Sequence, residues 1–413
     1  MTGSPDDADR VRTLREALTA TGAGIYLATH VAGPLPAETL AAVHESDELE
    51  LRIGRVGPDR AEDLEQREWE ARAAVAATIR APFEQVVLSH GAAEAARGIT
   101  LELLGARVAP SQPGARPGPG ARPGTGTHPG PGTRPGLATP TRVVIVDGLS
   151  EPVARAVGSV ARALGAEVDH LSVVPQILGS DVALVAMPHV DPLGRLLDPG
   201  PVASATHRAG ARLLVDISLS VGALPLDVAE MGADALVGDV QRWLLGPEGL
   251  ALAWLSPALG DDVPARMRAT TGPFARGSLL ALARSVGWLL MYVELPWVVA
   301  RTGRLARRLY GSLASIHGVD LVADRAAHAG LLAFRISGWD AEQAAEELSR
   351  SAFVIADVDS GADVIRVSVG AWNREDELDR FVERVAELAA HTPASLPRRP
   401  SLTILSGPLD HDR

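Results

Sequence analysis

The chain has 413 residues, 46% of them hydrophobic and 22% charged, enough to bury a large core in two or three domains. Its formal net charge of −12 excludes the concentrated positive surface that a phosphate backbone demands, and the lack of cysteine excludes disulfides, thiolate metal ligands and a thiol nucleophile. All 39 basic residues counted as Lys or Arg are arginine, so no side-chain amine is available for Schiff-base chemistry.

Met1 to Arg10 is polar and acidic with no apolar signal core, and the later apolar runs are too short for a membrane span, so the default expectation is a cytoplasmic chain with no membrane partner. Over residues 8–20, Val11, Leu14 and Leu18 fall on one helical face. Ile25-Tyr26-Leu27 reads as a strand, and Gly33-Pro34-Leu35-Pro36 as a turn into a helix beginning near Ala37. Helical spacing recurs from Arg67 to Ile79, and Gln85 to Leu88 reads as a buried strand. Pro110 to Pro140, almost wholly Pro, Gly, Arg and Thr, cannot fill a core and is expected to be a solvated surface insertion; without stacking aromatics it does not suit RNA.

Val143 to Val146, Val182 to Ala186, Leu213 to Asp216, Ala235 to Val237 and Leu250 to Leu255 are short apolar runs, with a helix at Ala203 to Ala209. Such runs separated by helices predict a mostly parallel sheet of about seven strands, covered on both faces. From Asp261 the texture changes to long helices, Ser278 to Val293 and Trp297 to Ile316. Strands Leu331 to Ile336 and Val364 to Val369 and a helix from Glu375 to Ala389 follow. The expected division is an arm over 1–24, a large α/β domain over 25–260 interrupted by the 110–140 insertion, a smaller α/β domain over 261–392, and a flexible tail over 393–413.

Four motifs, in order, carry a resemblance. Leu214-Val215-Asp216-Ile217-Ser218-Leu219-Ser220-Val221-Gly222-Ala223-Leu224-Pro225-Leu226-Asp227-Val228 resembles Leu-Val-Asp-Gly-Ala-Gln-Ser-x-Gly-x-x-Pro-Leu-Asp-Val of the class V aminotransferases, and Arg242-Trp243-Leu244-Leu245-Gly246-Pro247 resembles their Lys-Trp-Leu-x-Gly-Pro. Ser89-His90-Gly91-Ala92-Ala93-Glu94 stands at their Ser-Gly-Ala-Thr-Glu phosphate turn, and Ile365-Arg366-Val367-Ser368 at their Leu-Arg-Val-Ser. From Ile25 to Ala389 the chain thus resembles the class V family of fold-type I pyridoxal-phosphate (PLP) enzymes, in texture the isopenicillin-N-epimerase and cysteine-desulfurase branches.

The resemblance implies a fold-type I α/β architecture and places site residues. Arg242 stands at the Schiff-base lysine and Asp216 at the aspartate that pairs with the pyridinium nitrogen, while Leu219 replaces the polar group that touches the ring hydroxyl. Gly91 and Ala92 keep the phosphate turn, Ala93 lacks its hydroxyl, and Asp239 replaces the phosphate-binding serine beside Gln241. Asp147 to Pro152 offers no ring to stack on the cofactor. His189 with Gly194 resembles the pocket-flanking Ser-His-x-x-x-x-Gly; His90 with Glu94 offers an acid–base pair or a helix-end contact; Arg366 matches the arginine that grips a substrate carboxylate. Gly277-Ser278 resembles the Gly-Thr that reaches the neighbouring subunit's phosphate site, implying a homodimer or a heterodimer with a lysine-containing homologue.

PLP is therefore implied by family, but no covalent attachment is expected. Three readings stay open: a scaffold or regulatory homologue with a degenerate cofactor site; an enzyme reusing the pocket for acid–base lyase or isomerase chemistry on a small anionic, amino-acid-like substrate; and a transaminase or lyase holding PLP non-covalently. Deleting residues 112–137 is expected to leave the thermal midpoint and solubility almost unchanged, because loop closure depends weakly on length; a large loss in a melting experiment would show that the segment contributes to the fold.

Overall fold

The computed structural model describes residues 5–105, 141–323 and 330–396; the Pro/Gly-rich 110–140 segment and nearly all of the tail lie outside the described residues. The chain starts with α1 (Pro5–Ala17), β1 (Ile25–Tyr26), α2 (Ala37–Ile53) and α3 (Arg60–Thr78). A seven-stranded sheet follows, built from β2 (Val86–Ser89), β3 (Arg142–Val146), β4 (Glu167–Leu171), β5 (Val182–Pro188), β6 (Arg212–Asp216), β7 (Ala235–Asp239) and β8 (Ala251–Leu255). Its spatial order is β2-β8-β7-β6-β5-β3-β4. The connecting helices are α4 (Ala92–Gly105), α5 (Glu151–Ala163), α6 (Pro199–Arg208) and α7 (Val228–Met231).

All seven residues of β5 are buried, as are all of β2 and β8, because side chains on both sheet faces meet helices. On one face Ala71, Val75, Leu279 and Leu282 pack against Val185, Val215 and Leu236; on the other, Ile99, Val153 and Val157 pack against Leu184, Leu214 and Val237. The fold class inferred from the apolar runs is what the structure has, with one detail beyond that inference: β8 runs antiparallel to both β2 and β7. Register brings the functional ends together. Pro188 lies opposite Asp216, and both Asp239 and Ser89 lie opposite Ala251.

After β8 come α8 (Val263–Thr270), α9 (Arg276–Trp288) and α10 (Leu295–Ala314), then β9 (Val319–Leu321), β10 (Leu331–Ile336), α11 (Ala341–Ala352), β11 (Val354–Ile355), β12 (Asp357–Asp359), β13 (Val364–Ser368) and α12 (Glu375–Ala389). The second sheet has the order β12-β13-β10-β9 and is antiparallel, while β1 pairs with β11. Phe334 and Phe381 meet edge to face, with centroids 6.2 Å apart, in its core.

The helix expected over Ser278 to Val293 ends at Trp288. A π-helical turn, Leu289–Val293, and Glu294 at φ 67° then reset the direction ahead of Pro296, in the first turn of α10. Among the described residues no single helix is long and apolar enough to cross a membrane; the stretch Arg276–Val293 passes only jointly with α10, and that pair is bent by 83°.

Gly33 joins the amino-terminal segment to the loop after β7. Its N–H donates to Gln241 O at 2.7 Å, and a Cβ there would stand 2.2 Å from Arg242 O and 2.4 Å from Leu245 Cδ2. Gly33→Ala should therefore destabilise the protein by roughly 1–3 kcal/mol, read as a lower denaturation midpoint; an unchanged midpoint would mean that this approach is not fixed in solution.

Candidate functional site

The ends of β5 and β6 and the loops after β3 and β7 face β12 and β13 across a cleft of about 560 Å³. A larger cavity of about 740 Å³ lies at the opposite edge of the sheet, around Arg212, Asp234 and Trp254, and holds none of the candidate catalytic, cofactor-binding or substrate-binding residues. The cleft holds Asp216, Arg242 and Arg366.

Asp216 ends β6 and is 4% exposed. Its Oδ1 accepts the Ser218 N–H at 2.9 Å and its Oδ2 accepts the Ser150 hydroxyl at 2.8 Å. Burial pushes this carboxyl upward, the two serines oppose that shift, and the nearby Asp239 charge adds to it. Ser218 also ties the two strands, because its hydroxyl accepts the Asp239 N–H at 3.0 Å.

Asp239 ends β7, and the shared opposition to Ala251 sets it beside the start of α4. Gly91, at φ 105°, makes the turn that presents the Ala92 N–H, and Asp239 Oδ1 accepts that N–H at 3.0 Å. Asp239 Oδ2 lies 3.3 Å from Arg242 Nη2, and Arg242 Nη1 donates to His30 O at 2.6 Å. Arg242 Nε and Gln241 Oε1 are buried without a partner among the described residues.

Across the cleft, Arg366 Nε donates to Asp357 Oδ2 at 2.9 Å, its Nη2 reaches the same oxygen, and Asp359 lies 3.7 Å from its Nη1. Burial alone would raise the Asp357 carboxyl, but the His30 hydrogen bond and the Arg366 charge outweigh it and hold it at about 2. His30 is 3% exposed, and burial pushes its imidazole pKa down against the opposing pull of Asp357. Its Nδ1 is 2.9 Å from Ser368 Oγ and its Nε2 is 3.2 Å from Asp357 Oδ2. This Ser–His–Asp series is not a nucleophile relay: Ser368 is fully buried and does not line the cleft, and its hydroxyl oxygen accepts the backbone N–H of His30.

Other sequence-predicted residues lie elsewhere. His189 follows β5 with its ring turned to Ser220 Oγ at 2.9 Å, while its neighbours Pro188 and Val190 line the cleft. His90 is exposed, stacks on Phe274 at 4.5 Å and contacts Gly272 O, with no bond to Glu94. Ser278 sits in the first turn of α9, away from the cleft. Ala92 meets Asp239, which faces Arg242, and Gly91 and Gln241 are chain neighbours of that group. Sequence reasoning passed over His30, Asp357 and Ser150. The available signal was the Asp-x-Asp alternation at 357 and 359, which puts two carboxylates on one face of a strand near Arg366.

A seven-stranded sheet with one reversed strand, an aspartate at its carboxyl edge and a second small domain closing the cleft defines the fold-type I PLP-transferase architecture. The aminotransferase class-V family matches residues 165–381, just over half of the chain, and the chain belongs to that family. Over 127 residues it is 33% identical to kynureninase of Pseudomonas fluorescens, covering 30% of this chain and 29% of that enzyme. Over 255 residues it is 26% identical to a probable cysteine desulfurase of Mycolicibacterium paratuberculosis, covering 53% of this chain and 36% of the relative. These matches thus span about a third of each relative's length. The apo cysteine desulfurase of Thermococcus onnurineus NA1 superposes with a TM-score of 0.73 at 16% identity, over 94% of this chain and 99% of that one. A lysine-to-alanine variant of C-DES, with glycine covalently linked to its PLP cofactor, gives 0.73 at 16% identity, over 90% and 98%.

Burial lowers the His189 pKa from 6.5 to about 4, with Asp198 opposing the shift. The unfolded chain then takes up a proton near pH 6.5 that the folded chain refuses until about pH 4, so this contribution to stability is present above 6.5 and lost as pH falls towards 4. His189→Gln should flatten the stability–pH curve in that window by at most about 1.4 kcal/mol per pH unit; denaturant titrations at a series of pH values would show it, and an unaltered slope would place the acid sensitivity elsewhere.

Proposed function

We propose that this chain is a class V aminotransferase-fold protein with a degenerate cofactor site, acting as a non-PLP scaffold or regulatory homologue. The observation that carries the reading is the Asp239 carboxylate on the Ala92 N–H, at the start of α4, where the family resemblance places the cofactor phosphate. The residues present do not fit PLP. Asp216 suits a pyridinium nitrogen, but a phosphate beside Asp239 would meet like charge worth roughly 4 kcal/mol per unit of phosphate charge at 4 Å and intermediate dielectric. Residue 93 is alanine, and residue 242 is a guanidinium already bonded to His30 O.

Acid–base catalysis on an anionic substrate draws less support. Arg366 is engaged by Asp357 and Asp359, His30 is held between Ser368 and Asp357, and His189 and His90 do not line the cleft. The reading includes a homodimer or a heterodimer with a lysine-containing homologue, motivated by the Gly277-Ser278 resemblance.

The test is the visible spectrum after incubation with PLP, before and after gel filtration, followed by borohydride reduction and peptide mapping. Wild type should lose the cofactor and carry no pyridoxyl group at residue 242. Arg242→Lys alone should not retain a stable chromophore, since each missing charge-assisted or polar contact is worth roughly 1–3 kcal/mol. Arg242→Lys combined with Asp239→Ser and Ala93→Thr should retain measurably more. A yellow, tightly loaded Arg242→Lys single variant would show a pocket still built for PLP and would overturn the reading.

A further inference from the structure

Both cationic groups of the cleft are already matched by carboxylates of the chain itself. Arg242 lies against Asp239 and His30 O, and Arg366 against Asp357 and Asp359. Asp216 is the exception: it is 4% exposed, borders the cavity, and has only Ser150 and Ser218 as hydrogen-bond partners, with no ion pair among the described residues. Three aspartates thus hold the two guanidinium groups, and Asp216, at the floor, is left without a cation among the described residues. A buried carboxylate without a cation is costly unless it is protonated or a counter-charge arrives.

We propose that the cleft binds an organic cation, a protonated amine carried on a small apolar body, with Asp216 as its counter-charge. The walls supply the apolar contact: Val31, Pro188, Val190, Leu219 and Val358 border the space, and about 560 Å³ is ample for a small ligand. A metal ion suits the site less, because among the described residues no three His, Cys, Asp or Glu side chains are grouped to hold one. The inference rests on the reading that PLP does not occupy the cleft, and it reverses the sign of the ligand that Arg366 suggests from sequence.

The test is isothermal titration at neutral pH of cofactor-free protein with phenethylamine and with 3-phenylpropanoate, which share a ring and a short chain but carry opposite charge. The amine should bind at least about tenfold more tightly. Asp216→Asn should lose that preference while keeping or raising the thermal midpoint, because it replaces a carboxyl whose charged form burial disfavours. Leu219→Arg, on the cleft wall, should weaken the amine and strengthen the carboxylate, and it keeps the test open if the first variant misfolds. Equal or tighter carboxylate binding, no amine binding in the millimolar range, or full amine affinity in folded Asp216→Asn would each overturn the inference. Tight PLP binding by wild type would sink the proposed function instead. A cofactor-free protein that ignores the amine would leave that function standing and remove only this inference.

Discussion

A single carboxylate fixes the carboxyl edge of the large sheet. Asp239 accepts an N–H at the start of α4, its other oxygen faces Arg242, and Arg242 reaches across to His30 O. A helix start carries roughly half a positive charge, so an anion there is favourable. Here the anion belongs to the end of a neighbouring strand. Three separate segments, α4, the end of β7 and the stretch before α2, are thereby tied at one point. Gly33 lets the third segment come close enough, because no side chain fits between its backbone and Arg242 O.

The same device recurs on the small sheet, where Asp357 and Asp359 hold Arg366. A tethered carboxylate needs no association entropy, whereas a free anion must overcome several kcal/mol of lost translational and rotational freedom. An incoming phosphate or carboxylate also has to displace a group that cannot diffuse away. Each arginine is therefore already matched by carboxylates of the chain, and Asp216 is left without a cationic partner among the described residues.

Much of this was legible in the sequence, for reasons that differ residue by residue. The continuous apolar runs gave five of the seven large-sheet strands, with Gln85 to Leu88 a sixth, because strands buried on both faces have no polar alternation to hide them. The edge strand β4, Glu167-Val168-Asp169-His170-Leu171, is half exposed and polar, and it escaped that reading. The Asp239–Arg242 pair was legible because three residues separate its members. The His30–Arg242 contact was not, because 212 residues separate them and only the folded sheet brings them together. His189 shows the limit of motif spacing. Its position at the end of β5 matched the resemblance, but successive side chains of an extended chain point to opposite sides, and here the cleft side falls to Pro188 and Val190.

The reversed strand β8 has a consequence for how the chain reaches this state. In the large sheet β2 is an edge strand, and its one partner is β8, with Val86 opposite Trp254; Gln85 and Trp254, also bonded there, are 169 residues apart. At the usual pace of synthesis, about 5–20 residues per second, β2 leaves the ribosome roughly 10–30 s before its partner exists. During that interval Val86, Val87 and Leu88, buried in the finished protein, have no strand to pair with, and α4 has no Asp239 at its amino end. Contacts this distant in sequence form slowly. The β2–β8 edge is therefore among the last parts of the large sheet to close, and until Trp254 emerges the nascent chain carries an apolar strand without its partner.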